Sequence, residues 1–182
     1  MTPSDGELLD RIAHRDSRAL EALYLRFHRR LSRFLWRVTP RYENVEEIVN
    51  DTFMVVWRRA ADFRGRSAVS TWVIGIAYRL ALKSLRRPVG SGLTVDVETA
   101  DACVEPTRVS ETEDWVARGL SELPFEQRLT VELVYHMGHS LQEIADIMGC
   151  PVGTVKARMF HAREKLRRSL PQLGGLSAGG DR

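Results

Sequence analysis

The most informative segment of this 182-residue chain runs Ser140-Leu-Gln-Glu-Ile-Ala-Asp-Ile-Met-Gly-Cys-Pro-Val-Gly-Thr-Val-Lys-Ala-Arg-Met-Phe-His161. A serine followed three residues later by a glutamate, at Ser140 and Glu143, is a capping-box pattern that opens a short helix. The Gly149-Cys-Pro151 triplet then turns the chain sharply, and apolar periodicity predicts a longer helix over Val152–Ser169. Two helices joined by a tight glycine-containing turn indicate a helix-turn-helix.

The second helix of this motif has an apolar stripe and a basic outer face. Its predicted buried residues are Val155, Met159, Ala162, Leu166 and Leu170. The residues predicted to point away from that stripe are Lys156, Arg158, Phe160, His161, Arg163 and Arg167. In the major groove of DNA, such cations neutralise phosphates or pair with guanine, and a Phe ring can touch a thymine methyl. An ordinary helical hairpin with a solvated basic face would give the same pattern.

Helices are also predicted on both sides of the centre of the chain. In the N-terminal block, apolar residues at steps of three and four predict a helix over Ser17–Val38. Asn44 and Glu47 have the spacing of a capping box, and the apolar stripe that follows them predicts a second helix that continues to Ala60. Phe63–Val69 is predicted to be a loop, because it contains Gly and Ser, and a third helix is predicted over Ser70–Arg87.

The C-terminal block begins near Glu113 and contains two more predicted helices before the helix-turn-helix. A short helix ends before Pro124, and another spans Phe125–Met137 with Leu129 and Leu133 on its inner face. The chain is therefore predicted to be all-α.

Charge divides the chain into three parts. Residues 1–87 hold 17 Lys and Arg against 10 Asp and Glu, residues 88–114 hold one against seven, and residues 115–182 hold nine against seven. Basic blocks joined by an acidic strip indicate a polyanionic partner, although solvated surface charge is the simpler alternative. Residues 88–112 lack apolar periodicity and contain Pro and Gly, so they are predicted to form a flexible linker.

Several function classes are disfavoured by composition. No apolar run approaches the roughly 20 residues that span a bilayer, and Met1–Leu9 has no signal-peptide pattern. The cysteines, Cys103 and Cys150, are too few for a disulfide framework, so a cytoplasmic protein is expected. His136 and His139 with Cys150 lack the ordered spacing of a metal site. No metal, cofactor or catalytic site is predicted.

These motifs together resemble the extracytoplasmic-function sigma factors of bacterial RNA polymerase. Ser140–Arg168 is similar to region four of that family, and Leu120–Arg128 is similar to the start of that region. The segments similar to region two are Val45–Trp57, Phe63–Ser67 and Ser70–Ala77. The likeness extends over about residues 7–170, with both regions in the family's order and a linker between them.

The resemblance implies two small helical domains joined by a flexible acidic linker. The expected parts are a region-two-like domain at 1–87, a linker at 88–112, a region-four-like helix-turn-helix domain at 113–170 and a flexible tail at 171–182. It further implies an alternative sigma factor, not an enzyme, that directs promoter-specific initiation in a stress or envelope response. The expected partners are core RNA polymerase, promoter DNA and an anti-sigma factor, with no direct membrane insertion.

The resemblance also assigns residues to three surfaces. The expected reader of the minus-thirty-five element consists of Lys156, Ala157, Arg158, Phe160 and His161, with Arg163 and Arg167 beside them. The expected minus-ten surface, which captures an unstacked base and follows phosphates, consists of Phe63, Arg64, Ser67, Trp72, Arg79, Lys83, Arg86 and Arg87. The expected docking surface for the clamp helices of the largest polymerase subunit consists of Glu46, Glu47, Asp51, Phe53 and Trp57.

Some of these assignments leave alternatives open. Trp72 could equally be a core residue, and the acidic linker could be an RNA mimic in the exit path or only a solubilising tether. His161 stands where the family commonly has Arg, and Tyr78-Arg79 replaces a common Arg-Asn, so the preferred promoter sequence does not follow from the resemblance.

Two rival functions lack the features that they require. An operator-binding regulator would need a dimerisation or sensor domain, and residues 1–87 show no heptad seam. A helical nuclease would need clustered metal-ligand carboxylates, which the sequence does not present.

Overall fold

The computed structural model describes residues 2–38, 45–86 and 118–173, the side chains of 86 and 170–173 excepted. The chain begins with helix α1, Asp5–Ala13. The side chain of Ser4 accepts a hydrogen bond from the Glu7 N–H at 3.2 Å, and Glu7 Oε2 accepts one from the Ser4 N–H at 2.6 Å. This helix is not among those predicted above, although Ser4 and Glu7 have the capping-box spacing.

The next three helices follow the predicted apolar stripes closely. Helix α2 spans Ser17–Val38 as predicted, and helix α3 spans Val45–Arg59 and continues into a short 3-10 helix, Ala60–Asp62. Helix α4 spans Val69–Arg86, so it begins one residue before the predicted start. The predicted cap residue Asn44 lies outside the described residues.

The C-terminal half contains a helical turn at 118–121 and three helices. These are α5, Phe125–Tyr135; α6, Leu141–Met148; and α7, Val152–Leu173. Helix α5 ends two residues before the predicted Met137, because Gly138 takes a left-handed conformation with φ of 68° and redirects the chain. Helix α7 continues four residues beyond the predicted end at Ser169.

The two halves of the described chain share one hydrophobic core. Leu129 and Leu133 of α5 and Ile147 of α6 are buried in the same cluster as the apolar residues of α1 to α4. Helix α5 packs against α2, and α6 packs against α4. At Gly75 of α4 an added Cβ would lie 3.8 Å from the Cα of Ile147, so the two helix backbones approach closely there. The C-terminal unit is therefore docked on the N-terminal bundle.

Arginine side chains bridge the same seam. Arg30 of α2 donates to the carbonyl oxygen of Met137, and Arg128 of α5 donates to the carbonyl oxygen of Val38 at 3.0 Å. Each bond satisfies a carbonyl at or near a helix end, where no intrahelical donor is available. The domain boundaries predicted from the sequence stay predictions, because the linker 88–112 lies outside the described residues.

Candidate nucleic-acid interface

The helix-turn-helix is fixed by the predicted capping box and by a left-handed glycine. Glu143 accepts the Ser140 N–H at 2.9 Å, and Ser140 Oγ accepts the Glu143 N–H at 3.2 Å, which confirms the prediction. Gly149 has a φ of 63°, a conformation that strains any residue with a Cβ. The Cys150 N–H then donates to the Ala145 carbonyl at 3.1 Å, closing the turn before α7 begins.

Glu143 also connects this cap to the N-terminal bundle. The hydrogen bonds from the backbone and side chain of Ser140 lower the pKa of Glu143 to about 2. Thr71 of α4 donates its hydroxyl to Glu143 Oε1 at 3.0 Å across the seam. His139 lies beside the same carboxylate, at 3.7 Å, and burial lowers the pKa of its imidazole. One ionised carboxylate thus serves both the cap and the interface.

Helix α7 presents a mixed cationic and aromatic face. Its buried stripe contains Val155, Met159 and Ala162, as predicted. On the opposite side Phe160 is 62% exposed, and its ring contacts the His161 ring edge-on at 5.5 Å between centroids. The other exposed residues predicted for this face are Lys156, Ala157, Arg163 and Arg167. An exposed Phe flanked by cations can touch both bases and phosphates.

Arg158 does not point away from the buried stripe, and that prediction is wrong. Its guanidinium forms an ion pair with Glu126 of α5 and lies 3.7 Å from Met148 Sδ and 3.5 Å from Cys150 Sγ. The side chain is consequently 21% exposed. Helices α5 and α7 cross so that Arg158 faces the start of α5, where the Glu126 carboxylate accepts a charge-assisted hydrogen bond from its guanidinium. Arg158 braces the motif against α5.

Arg163 has a partner as well, although it remains exposed. Its Nη2 donates to the Tyr135 hydroxyl at 2.9 Å, and its guanidinium lies 6.0 Å from the centre of that ring. Tyr135 is itself 60% exposed and was not predicted as part of the interface. This contact holds the long Arg163 side chain beside the exposed face of α7.

The predicted minus-ten loop is closed on one side by two aromatic rings. Phe63 and Trp72 lie 5.5 Å apart between ring centroids and are inclined by 57°. Both are half-buried and pack against the core, so Trp72 is partly a core residue and partly accessible. Arg64 is exposed and Ser67 is partly exposed, on either side of Gly65, whose φ is 66°. The loop thus holds the polar side chains of Arg64 and Ser67 beside the rings of Phe63 and Trp72.

The cations predicted to follow phosphates lie along α4. The Arg79 guanidinium folds back along the helix, 3.7 Å from where a Cβ on Gly75 would be. Desolvation at this site, together with the positive charge of Arg59, lowers the pKa of Arg79. Lys83 is exposed. The side chain of Arg86 and the whole of Arg87 lie outside the described residues.

The outer face of α3 is acidic, as predicted. Glu46, Glu47 and Asp51 are exposed, and Glu46 contacts the His28 ring nitrogen at 3.1 Å. Met54, one turn beyond Asp51, is 46% exposed on the same face. The sequence analysis missed it, although its spacing from Glu47 and Asp51 could have indicated it.

Phe53 is a correction to the predicted docking surface. It is 4% exposed and packs edge-on against Tyr24, with 4.9 Å between ring centroids. The apolar stripe of α3 includes this position, so the ring faces the core and cannot contact a partner without unpacking it. Trp57 is half-buried under the Arg15 guanidinium, which lies 5.4 Å from its ring centre.

The histidine and cysteine residues that the sequence analysis considered as metal ligands make local contacts instead. His136 Nδ1 lies 2.9 Å from Glu132, and Cys150 is beside Arg158. In the parts of the chain that the structure describes, no three His, Cys, Asp or Glu side chains converge as a metal site would require. Within those same parts, no helix has the length and apolar character needed to cross a bilayer.

Comparison with known proteins agrees with this geometry. The family model described as Sigma-70 region 2 matches residues 23–88, and that described as Sigma-70 region 4 matches residues 113–166. The first match therefore includes most of α2 with the whole of α3 and α4, and the second includes α5, α6 and most of α7.

Whole-length relatives extend the match. The chain is 36% identical over 171 residues to the ECF RNA polymerase sigma factor SigM of Mycobacterium tuberculosis, covering 93% of this chain and 86% of the relative. Its fold is similar to CnrH in complex with the cytosolic domain of CnrY, with a TM-score of 0.69, 22% identity and coverage of 92% and 97%. It is also similar to RpoE of Bartonella quintana in complex with the anti-sigma factor NepR, with a TM-score of 0.66, 24% identity and coverage of 86% and 97%. The chain therefore belongs to the extracytoplasmic-function sigma factors of RNA polymerase.

Proposed function

We propose that this sigma factor directs core RNA polymerase to its promoters through three surfaces of the described structure. Helix α7 reads the minus-thirty-five element, the Phe63–Val69 loop with α4 holds the minus-ten element, and the outer face of α3 docks on the polymerase. The observation that carries the proposal is the face of α7, where exposed Phe160 and His161 stand among cations opposite a fully packed apolar stripe. The proposal assigns the chain no catalytic step of its own.

For the minus-thirty-five element, we assign base contacts to the centre of α7. Lys156, Phe160 and His161 are exposed and lie within about one and a half turns of one another. We assign phosphate contacts to Arg163 and Arg167, which are exposed farther along the helix. Arg158 takes part by holding the reading helix on α5, because its guanidinium is already committed to Glu126.

For the minus-ten element, the paired rings of Phe63 and Trp72 supply an aromatic surface on which an extruded base could stack. Pulling a base out of the stack costs a few kcal/mol, and aromatic stacking recovers about 1–3 kcal/mol per base. The partly exposed Trp72 ring and the polar side chains of Arg64 and Ser67 fit that exchange. Arg79 and Lys83 then follow the backbone along α4.

For polymerase docking, the acidic face of α3 suits a basic groove. Glu47, Asp51 and Met54 share one exposed side, which combines charge for steering with an apolar contact for affinity. We add Met54 to the predicted surface and remove Phe53 from it. A sigma factor acts where polymerase acts, so we place it in the cytoplasm.

We also propose control by an anti-sigma protein. RpoE of Bartonella quintana, which has the same fold, forms a complex with the anti-sigma factor NepR. A partner of this class would compete with polymerase and promoter for the surfaces named above, as expected for a stress or envelope response.

Run-off transcription with purified core polymerase on genomic fragments tests the proposed function. We expect discrete transcripts that require the protein, together with its copurification with core polymerase. Arg167→Ala, which removes an assigned phosphate contact, should reduce transcripts from every promoter while leaving copurification intact. A protein that copurifies with no polymerase and yields no specific transcript would contradict the assignment.

A further inference from the structure

One side of helix α2 carries more arginine side chains than have hydrogen-bond or ion-pair partners in the described part of the chain. We define the arginine stripe as Arg26, Arg29, Arg30, Arg33 and Arg37, which all line one cleft of about 340 Å³. Arg26 pairs with Asp5, and Arg30 donates to the Met137 carbonyl. Arg29 and Arg33 are exposed, and neither has a hydrogen-bond or ion-pair partner within the described part of the chain.

The stripe has the form of a surface for a phosphate backbone. Its ends are 11 residues apart, about 16 Å along the helix axis, which is the length of about five stacked nucleotides. Five guanidinium groups on one helix face repel one another unless an anion lies among them. Guanidinium is also the side-chain group whose planar fork best matches phosphate oxygens.

One carboxylate already reaches the stripe from the C-terminal unit. Glu132 of α5 is fully buried in the opposite wall of the cleft, 3.5 Å from Arg37 and 2.9 Å from His136. Burial of a carboxylate is unfavourable unless cations and hydrogen-bond donors surround it. The buried carboxylate of Glu132 is therefore compensated by Arg37, one cation of the stripe, together with His136.

The stripe and the proposed minus-ten helix lie under the same unit. Helix α5 packs on α2 and helix α6 packs on α4, and only residues 136–140 connect α5 to α6. The C-terminal unit therefore covers a single side of the N-terminal bundle, which contains the arginine stripe and the α4 surface near Gly75 and Arg79.

We propose that the arginine stripe binds the phosphate backbone of single-stranded DNA as a continuation of the minus-ten surface. In the conformation described here, the C-terminal unit covers part of the stripe, and Glu132 neutralises Arg37 in place of a phosphate. The proposal rests on the proposed function for its choice of nucleic acid over an acidic protein segment, because the proposed minus-ten surface would bring an unstacked strand to this side of the bundle.

The test uses the full chain and a fluorescein-labelled oligothymidylate of about 20 nucleotides, which binds by backbone and stacking without base readout. Fluorescence anisotropy gives the affinity across a series of KCl concentrations. The stripe variant is Arg29→Gln with Arg33→Gln, which removes two charges that packing does not use. The matched control is Arg18→Gln with Arg58→Gln, two exposed arginines outside the cleft.

We expect the stripe variant to lower the slope of log affinity against log salt by about 1.4, since each phosphate contact on a single strand contributes about 0.7. Its affinity at low salt should fall on the order of tenfold, and the control should stay near the parent. Glu132→Gln, which removes the competing carboxylate, should bind the oligonucleotide more tightly than the parent. Equal slopes for stripe and control variants would overturn the proposal, as would absence of binding by both the parent and Glu132→Gln.

Two further measurements separate the competing outcomes. If the stripe variant loses affinity for labelled polyglutamate but not for the oligonucleotide, the surface serves an acidic protein segment and the nucleic-acid proposal is wrong. Run-off transcription by the parent with core polymerase reports on the proposed function independently. Specific transcripts combined with equal oligonucleotide slopes would reject the stripe alone, whereas no transcripts combined with a stripe-dependent slope would reject the proposed function alone.

Discussion

Glu143→Gln isolates the charge of the carboxylate that caps α6 and crosses the seam. The amide keeps the shape of the side chain: its one carbonyl oxygen can still accept the Ser140 N–H bond, and its NH2 group can donate to the Thr71 hydroxyl oxygen in place of the bond that Glu143 accepts. The shift of the Glu143 pKa from 4.5 to about 2 would be equivalent to about 3 kcal/mol at 1.36 kcal/mol for each pH unit. Because the side chain is 35% exposed, screening by water reduces the expected loss at neutral pH to about 1 kcal/mol.

The pH dependence of that loss has a definite sign. A carboxylate whose pKa is lowered on folding stabilises the protein fully above its unfolded value, so parent and variant should differ most above pH 4.5. The difference should shrink as the pH falls below 4.5 and vanish as it falls through about 2. At neutral pH the variant should melt about 2–4 °C lower.

Urea unfolding followed by circular dichroism at a series of pH values measures this difference. Glu7→Gln is the matched control, because Glu7 has the same capping-box geometry and a lowered pKa but no bond across the seam. Its effect should have the same sign and be smaller. A Glu143→Gln deficit that stays constant from neutral pH down to pH 2 would refute the reasoning, since the deficit would then arise from the amide's packing and not from the lost charge.

Three other predictions concern the proposed surfaces. Glu47→Arg with Asp51→Arg should weaken copurification with core polymerase at least tenfold while the circular dichroism spectrum stays unchanged, and full retention in a pull-down would remove this face of α3 from the interface. His161→Arg should change the minus-thirty-five sequence recovered from randomised DNA, with a change of about 1–3 kcal/mol in binding free energy at the altered base. Arg167→Ala should weaken binding to all sequences alike and lower the slope of log affinity against log salt by about one. An unchanged selection for the His161 variant would place that residue away from the bases. Neutralising the acidic linker should alter the ratio of abortive to full-length RNA without unfolding the chain; the residues replaced by Ser are Asp96, Glu98, Asp101 and Glu105. Identical ratios would favour the alternative that the linker is only a solubilising tether.

Local pattern was sufficient for most of the helices and for the motif at the centre of the site. The apolar stripe of α2 needs only its own spacing, because a helix with one apolar side must bury that side wherever it packs. The Ser140–Glu143 capping box likewise closes within four residues, and Gly149 permits the left-handed turn by itself. α1 could have been found in the same way from Ser4 and Glu7, since its cap is also local.

Where side chains of distant helices meet was decided by the tertiary structure alone. The sequence placed Arg158 on the outer face of its helix, but its partner Glu126 is 32 residues away and is reached only because α7 crosses α5 at that point. Phe53 fell on both a core stripe and a family docking motif, and packing against Tyr24 settled which applied. The docking of the C-terminal unit on α2 and α4 depends on surface fit at Gly75 and on arginines that cap carbonyls across the seam. Periodicity reports which side of a helix is apolar, but the partner of that side is fixed only by the shapes and charges of helices far apart in the chain.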